Sequence, residues 1–202
     1  MFMSEKIFDM YAEDYDRWYE EHKEEFMKEV ECFRRIVDAP KPWLEIGVGT
    51  GRFAYELGIE YGVDPAENMI RFARRRGIIS IIGRGEKLPF PDNFFGAVFM
   101  IVTICFVENP IAVLKEANRV LRDEGKLYIG LIPRDYPLGQ LYLEKASRGH
   151  RFYSSAKFYT IDEIIAMLKE TGFRITKIAE AGLEPKDFVC IEAIKEIFPR
   201  ES

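Results

Sequence analysis

The sequence predicts an α/β fold: a mostly parallel seven-stranded sheet with an antiparallel last strand, helices on both faces and a helical cap at the N-terminus. Three observations predict it. From residue 42 to residue 133, short apolar runs alternate with amphipathic helical patterns, as in strand–helix–strand units of a parallel sheet. Those runs are almost wholly apolar, as strands covered on both faces must be. Near the C-terminus two strand patterns, 173–181 and 187–195, are separated only by "GLEPKD". So short a connection joins only antiparallel neighbours.

Each element has its own signal. Ile7, Phe8, Tyr11, Tyr15, Trp18 and Tyr19 fall at helical spacing within residues 4–38, and a second helix is expected over about 22–37. Pro40 and Pro42 end this cap, so residues 1–39 and 40–202 are read as cap and main domain. "PWLEIG" is a strand, "GRFAYELG" a short helix and "IEYGVD" a strand. "AENMIRFARRRG" is a helix and "IISIIG" and "GAVFMIV" are strands. "PIAVLKEANRVLRDEG" is a helix and "KLYIGLIP" a strand. After Pro133 the rhythm breaks, and residues 136–156 read as an inserted lid segment rich in Tyr, Arg and Lys. "TIDEIIAMLKETGF" is a helix with Thr160 as N-cap, Glu163 at the capping-box position and Gly172 at its end.

Composition limits the function. The 202 residues are 48% hydrophobic, enough for one well-filled domain with a small annex. A net charge of -5 argues against a nucleic-acid binder. Residues 1–31 hold 11 acids against 4 bases, which reads as a solvated helical segment. The longest apolar stretch, 97–107, is too short to cross a bilayer, which needs roughly 20 residues. Glu5, Lys6 and Asp9 interrupt any signal-peptide core. Cys32, Cys105 and Cys190 are widely spaced and form no disulfide or metal pattern, which places the chain in a reducing cytoplasm and leaves the metal set empty. Four Asn and one Gln beside many Lys, Arg and Glu point to a thermophilic source.

The chemistry-bearing stretch is "WLEIGVGTGRF", residues 43–53. A strand ending in Gly47, Gly49 and Gly51 and feeding a helix exposes backbone N–H groups to a nucleotide-like ligand. The spacing is not the dinucleotide fingerprint, whose third glycine would fall at Arg52. The next strand ends in Asp64, where a carboxylate can accept hydrogen bonds from both hydroxyls of a ribose. Together these describe an adenosine site without a pyrophosphate cradle.

Six ordered blocks carry a resemblance that spans nearly the whole chain. "LEIGVGTG", "GVDPAENMIRFAR", "GRGEKLPFPDNFFGAVFM", "VLKEANRVLRDEGKLYIG", the N-terminal "FDMYAEDYDRW" and the C-terminal "FYTIDEIIAMLKETGF" resemble class I S-adenosylmethionine-dependent methyltransferases. The resemblance is to the small group related to the ubiquinone/menaquinone biosynthesis methyltransferases. It implies a Rossmann-like fold, S-adenosylmethionine as cofactor and methyl transfer to a small-molecule acceptor by in-line displacement. It implies cofactor contacts from Tyr11, Tyr15, Glu45, Gly47, Gly49, Gly51, Asp64, Pro65, Met69, Arg84, Gly85, Glu86 and Ile101. Glu45 would lie near the methionine end, and the N-terminal aromatic segment would fold over the cofactor.

The chain departs from the family pattern in three places. Arg84 stands where an acid usually meets the adenine amino group, which shifts adenine recognition to the Gly85 backbone and Glu86. Gly96 replaces the acid of a usual Phe-Asp pair, and the segment between Gly51 and Asp64 is about two turns short. Among titratable groups, His150 in the inserted segment is a weak candidate general base, His22 reads as exposed, and Arg74, Arg75 and Arg76 as a solvated helix end. Tyr136, Tyr142, Phe152 and Tyr153 suit a flat apolar acceptor, whereas Arg148 and Arg151 suit an anionic one. The alternative function is a non-catalytic adenosyl-ligand-binding or interaction protein on the same scaffold. Arg52 argues against a nicotinamide dehydrogenase.

Overall fold

The computed structural model describes residues 3–181 and 187–196. Seven strands form one sheet: β1 (Trp43–Ile46), β2 (Tyr61–Asp64), β3 (Ile79–Ile82), β4 (Phe95–Ile101), β5 (Leu121–Leu131), β6 (Phe173–Ala181) and β7 (Phe188–Lys195). Their order is β3-β2-β1-β4-β5-β7-β6. All neighbouring pairs are parallel except β5–β7 and β7–β6, so β7 alone runs against the rest. The turn expected at "GLEPKD" falls largely on residues 182–186, outside the described residues; the strands on either side pair antiparallel as expected.

Both faces of the sheet are covered, which is why the strands read as continuous apolar runs. On β4 the alternation is plain. Val98 and Met100 point into a cluster with Leu114, Ala117, Ile164 and Leu168 of α6 (Pro110–Val120) and α8 (Ile161–Glu170). Ala97, Phe99 and Ile101 point into the opposite cluster, with α3 (Lys23–Arg34), α4 (Arg52–Leu57) and α5 (Glu67–Arg75). Helix α8 begins as its sequence requires. Thr160 Oγ1 accepts from the Glu163 N–H, and the Glu163 carboxylate accepts from the Thr160 N–H at 2.7 Å.

The N-terminal segment divides more finely than its spacing predicts. It forms α1 (Met3–Met10), α2 (Ala12–Glu21) and α3, with breaks at Tyr11 and His22. Helix α3 belongs to the packing of the sheet: Phe33 is fully buried against Phe99 and Phe188. Helix α2 is tied down by charge. The Asp16 carboxylate accepts from Arg52 Nε and Nη2 at 2.9 and 2.6 Å, and from Arg76 Nη2 at 2.9 Å. The arginine run at the end of α5 is therefore not simply a solvated face. Arg76 also donates to the Thr50 carbonyl and Arg74 to the Ser80 carbonyl; Arg75 lies over the Phe72 ring.

Gly96 has a structural reason. A Cβ there would lie 1.8 Å from the Pro40 carbonyl oxygen, and the Gly96 N–H donates to the Pro42 carbonyl at 2.9 Å. The chain entering β1 crosses β4 so closely that only hydrogen fits.

Candidate functional site

The sheet order reverses between β1 and β4, because β2 and β3 lie on one side of β1 and β4 and β5 on the other. A crevice opens outside the carboxyl ends of strands at such a switch point. Here it is a cleft, partly open to solvent, at the tips of β1, β2 and β4.

The glycine turn forms its floor. Gly47 and Val48 donate their N–H groups to the Val63 carbonyl at 2.8 and 3.1 Å, pinning the turn to β2. All three glycines have positive φ, at 72°, 52° and 81°. Their surroundings differ. A Cβ on Gly47 would lie 2.4 Å from the Thr103 side chain, and one on Gly51 would lie 2.9 Å from Ala73 Cα on α5. Those two glycines make room for protein. Only Gly49 faces the cleft freely, with the Tyr15 ring 3.7 Å from its notional Cβ.

Asp64 closes β2 beside this turn. Its carboxylate accepts from the Gly49 N–H at 3.0 Å and the Ala66 N–H at 2.9 Å. Burial raises its pKa to about 6, against the lowering effect of those two bonds. Glu45 is more extreme. It is 2% exposed, and its Oε2 has no hydrogen-bond partner among the described residues. Burial, with the Asp64 charge adding, pushes its carboxyl well above the usual range.

Most of the residues expected around a cofactor share this one cleft. Tyr15, Gly47, Gly49, Asp64, Pro65, Met69, Arg84, Gly85, Glu86 and Ile101 line it. Tyr11, Glu45 and Gly51 do not. Tyr11 sits at the α1–α2 break, where its ring turns out under the Arg151 guanidinium at 3.9 Å. Arg84 forms ion pairs with Glu86 and Glu108 at 3.4 Å and with Glu5 of α1 at 3.6 Å.

The sequence reading missed the lining from Glu5, Phe8, Thr103, Phe106 and Val107. Phe8 was findable, since it lies seven residues before Tyr15 on the same apolar face and the two rings meet edge to face at 5.4 Å. Nothing in the sequence marked the turn after β4. Val102 in that turn has φ of 51°, an outlier for a β-branched residue and a local strain of the kind found at sites.

A second, much narrower pocket adjoins that turn and shares Val102 and Phe106 with the first. Its walls include Cys105, Leu131, Tyr142, Tyr153, Phe158 and Tyr159. Tyr142 and Tyr153 come from the inserted segment, which contains α7 (Pro137–Ser147) and a short 3-10 turn, Tyr153–Ser155. Their rings stack at 4.1 Å. His150 lines neither cavity. It stacks on Tyr153 at 4.3 Å, its Nδ1 faces the Phe152 and Tyr153 N–H groups, and burial lowers its pKa. Cys105 is buried and its thiol is pushed up to about 12.

Comparison with known proteins agrees with this geometry. A methyltransferase-domain family model matches residues 44–129. An uncharacterized protein of Methanocaldococcus jannaschii is 42% identical over 190 residues, covering 94% of this chain and 92% of that protein. The chain spans 59% of the length of Mycobacterium tuberculosis relatives 43% identical to it. A demethylmenaquinone methyltransferase of Tropheryma whipplei is 28% identical, covering 85% of this chain and 83% of that protein. A crystal structure from Thermotoga maritima, described as a SAM-dependent methyltransferase and possible histamine N-methyltransferase, superposes with a TM-score of 0.88. It is 32% identical and covers 95% of this chain and 99% of its own. With its seven-stranded sheet, glycine turn and strand-tip carboxylate, the chain belongs to the S-adenosylmethionine-dependent methyltransferases.

Proposed function

We propose that the protein transfers a methyl group to a small-molecule acceptor, with the cofactor held in the cleft over Gly47, Gly49 and Asp64. The observation that carries this reading is Asp64: a carboxylate at the tip of β2, fixed by the Gly49 N–H, with lone pairs left for two ribose hydroxyls. One further feature fits the group: Gly49 leaves the cleft floor bare. S-adenosylmethionine supplies a methyl group on a sulfonium. The protein's part is to align the acceptor and exclude water, which can lower the barrier by roughly 7–11 kcal/mol. Isothermal titration with S-adenosylhomocysteine, with and without NAD as competitor, tests the site. Tight binding indifferent to NAD is expected.

The Asp64 pKa sets a pH dependence. Ribose hydroxyls donate to the ionised carboxylate, so binding favours the charged form. Affinity for S-adenosylhomocysteine is expected to be flat above about pH 7 and to weaken as pH falls through about 6. Affinity that rises on acidification across that range contradicts the role given to Asp64.

Gly49→Val is expected to abolish the thermal stabilisation that the cofactor confers. The new side chain would fill the one open stretch of floor, at a φ that a β-branched residue resists. A variant still stabilised by S-adenosylhomocysteine removes Gly49 from the site.

Helix α1 is the proposed lid. Phe8 meets Phe106 and Phe152 at 4.9 and 5.2 Å, and Asp9 bonds Asn68 on α5, so α1 spans the cleft from one wall to the other. Helix α2 is anchored through Asp16 to Arg52 and Arg76. In hydrogen exchange, residues 3–10 are expected to gain protection on cofactor binding while residues 12–21 change little. Equal protection of residues 3–10 in both states returns Phe8 to packing alone. The odd, unpatterned cysteine count supports a cytoplasmic setting, and the low Asn and Gln content a thermophilic one.

A further inference from the structure

Gly47, Gly49 and Gly51 give their turn unusual backbone freedom, yet the floor of a ligand site must hold one shape. Part of the bracing is internal. Gly47 and Val48 are bonded to the Val63 carbonyl, and the Gly51 N–H donates to the Val48 carbonyl at 2.9 Å. The far end of the turn, at Thr50, is braced from outside. Its carbonyl accepts from Arg76 Nη1 at 2.9 Å, and Arg76, at the C-terminal end of α5, turns its Nη2 to the Asp16 carboxylate. The same carboxylate takes Arg52, the first residue of α4, through both Nε and Nη2. One acid thus ties helices α2, α4 and α5 together behind the turn.

Asp16 is 8% exposed and lines neither cavity. Burial works against its charge, but hydrogen bonds, that from Arg52 foremost, hold its carboxyl below the ordinary range. Glu20 takes Arg52 from the solvent side at 2.8 Å, so two guanidiniums face two carboxylates. Without the Asp16 charge, two largely buried guanidiniums would share one exposed acid, an arrangement that draws them toward water and Arg76 away from the Thr50 carbonyl. Asp16 also follows Tyr15 in α2, and the Tyr15 ring stands over Gly49, 3.7 Å from its notional Cβ. Helix α2 therefore meets the turn on both sides, with Tyr15 above its floor and Asp16 behind it.

We propose that Asp16 is a positioning residue for cofactor binding: through Arg52 and Arg76 it holds the glycine turn, and with it Gly49 and Asp64, in the shape the ligand needs. The role rests on the cofactor reading above. Asp64 is included because its carboxylate accepts from the Gly49 N–H at 3.0 Å, so a turn that drifts takes away one of the two bonds that fix that carboxylate. A loosened turn must be ordered again when ligand binds, and that ordering is subtracted from affinity.

The test measures S-adenosylhomocysteine affinity by calorimetry on the full chain, well below its melting temperature, together with hydrogen exchange of the ligand-free protein. Asp16→Asn keeps the shape of the side chain and removes its charge. It is expected to weaken binding about tenfold and to speed exchange of the amides of residues 47–52. Arg76→Lys puts a single ammonium in place of the fork that spans Asp16 and the Thr50 carbonyl, and is expected to weaken binding by about threefold or more. It carries the test if Asp16→Asn fails to fold. Glu192→Gln is the control for stability alone. It breaks another buried ion-pair network, with Lys126 and Lys177, at a residue that lines neither cavity, and is expected to leave affinity unchanged. Affinity within about twofold of the unaltered protein in folded Asp16→Asn or Arg76→Lys overturns the proposal. So does unaltered exchange over residues 47–52 in Asp16→Asn, and so does a loss in Glu192→Gln as large as that in Asp16→Asn. Failure of the unaltered protein to bind S-adenosylhomocysteine sinks the cofactor site itself, and the role of Asp16 with it.

Discussion

Replacing Asp64 with alanine is expected to weaken S-adenosylhomocysteine binding by about 10- to 150-fold, or roughly 1.5–3 kcal/mol. The size follows from the chemistry. Two ribose hydroxyls lose a charged acceptor inside a cleft where Asp64 is only 9% exposed, and no other carboxylate at the β2 tip takes its place among the lining residues. The fold should suffer little. Asp64→Ala frees the Gly49 and Ala66 N–H groups, which costs stability, but it also removes a desolvated charge. The sign can be read from the pKa. The folded value, about 6, lies above the ordinary 3.8, so the folded chain binds more protons. The ionised carboxylate therefore lowers stability as pH rises from about 4 to about 6. At pH 7 the two effects oppose, and Tm is expected to move by only a few degrees. Such a residue, unfavourable to the fold and favourable to a ligand, is the pattern of a site. Calorimetry and thermal melting on the same variant measure both sides. Unchanged affinity removes Asp64 from the site.

Gly96→Ala is expected to be the most damaging small substitution in the sheet. Its Cβ would overlap the Pro40 carbonyl oxygen at 1.8 Å, and that obstacle is backbone, which cannot rotate aside. Overpacking of this kind costs about 3 kcal/mol or more. For a chain of this length that corresponds to a fall in Tm of roughly 6–12 °C. Gly77→Ala is the control. It has nothing within 4 Å of its notional Cβ and carries only the strain of a φ of 82°, about 1–2 kcal/mol. A Gly96→Ala protein that melts no lower than Gly77→Ala contradicts the close crossing of β4 by the chain entering β1.

Gly96 also shows where sequence reading stops. Its absent side chain is dictated by Pro40, 56 residues earlier, a contact that no local pattern encodes. The strands, by contrast, were legible because β1, β2 and β4 are buried on both faces, and continuous apolar runs follow from that alone. The capping box at Thr160 was legible because its two hydrogen bonds are local. Asp64 and Gly49 were legible because a strand tip and a turn each carry their own signal. Gly51 was not separable from them. It looks the same in sequence, but the neighbour it makes room for is Ala73. The helical spacing of the cap placed Tyr15 correctly on an inward face and could not foresee the break that turns Tyr11 toward Arg151. The turn after β4 carried no motif that marked it as a wall of the cleft, although Val102 and Phe106 line both cavities.

A crystal structure of the protein soaked with S-adenosylhomocysteine tests the central claim most directly. The ligand is expected in the cleft at the tips of β1, β2 and β4, with both ribose hydroxyls within hydrogen-bond distance of the Asp64 carboxylate. It is also expected to pass over Gly49 and beneath α1. Ligand bound elsewhere, or ribose hydroxyls with no contact to Asp64, would contradict that claim.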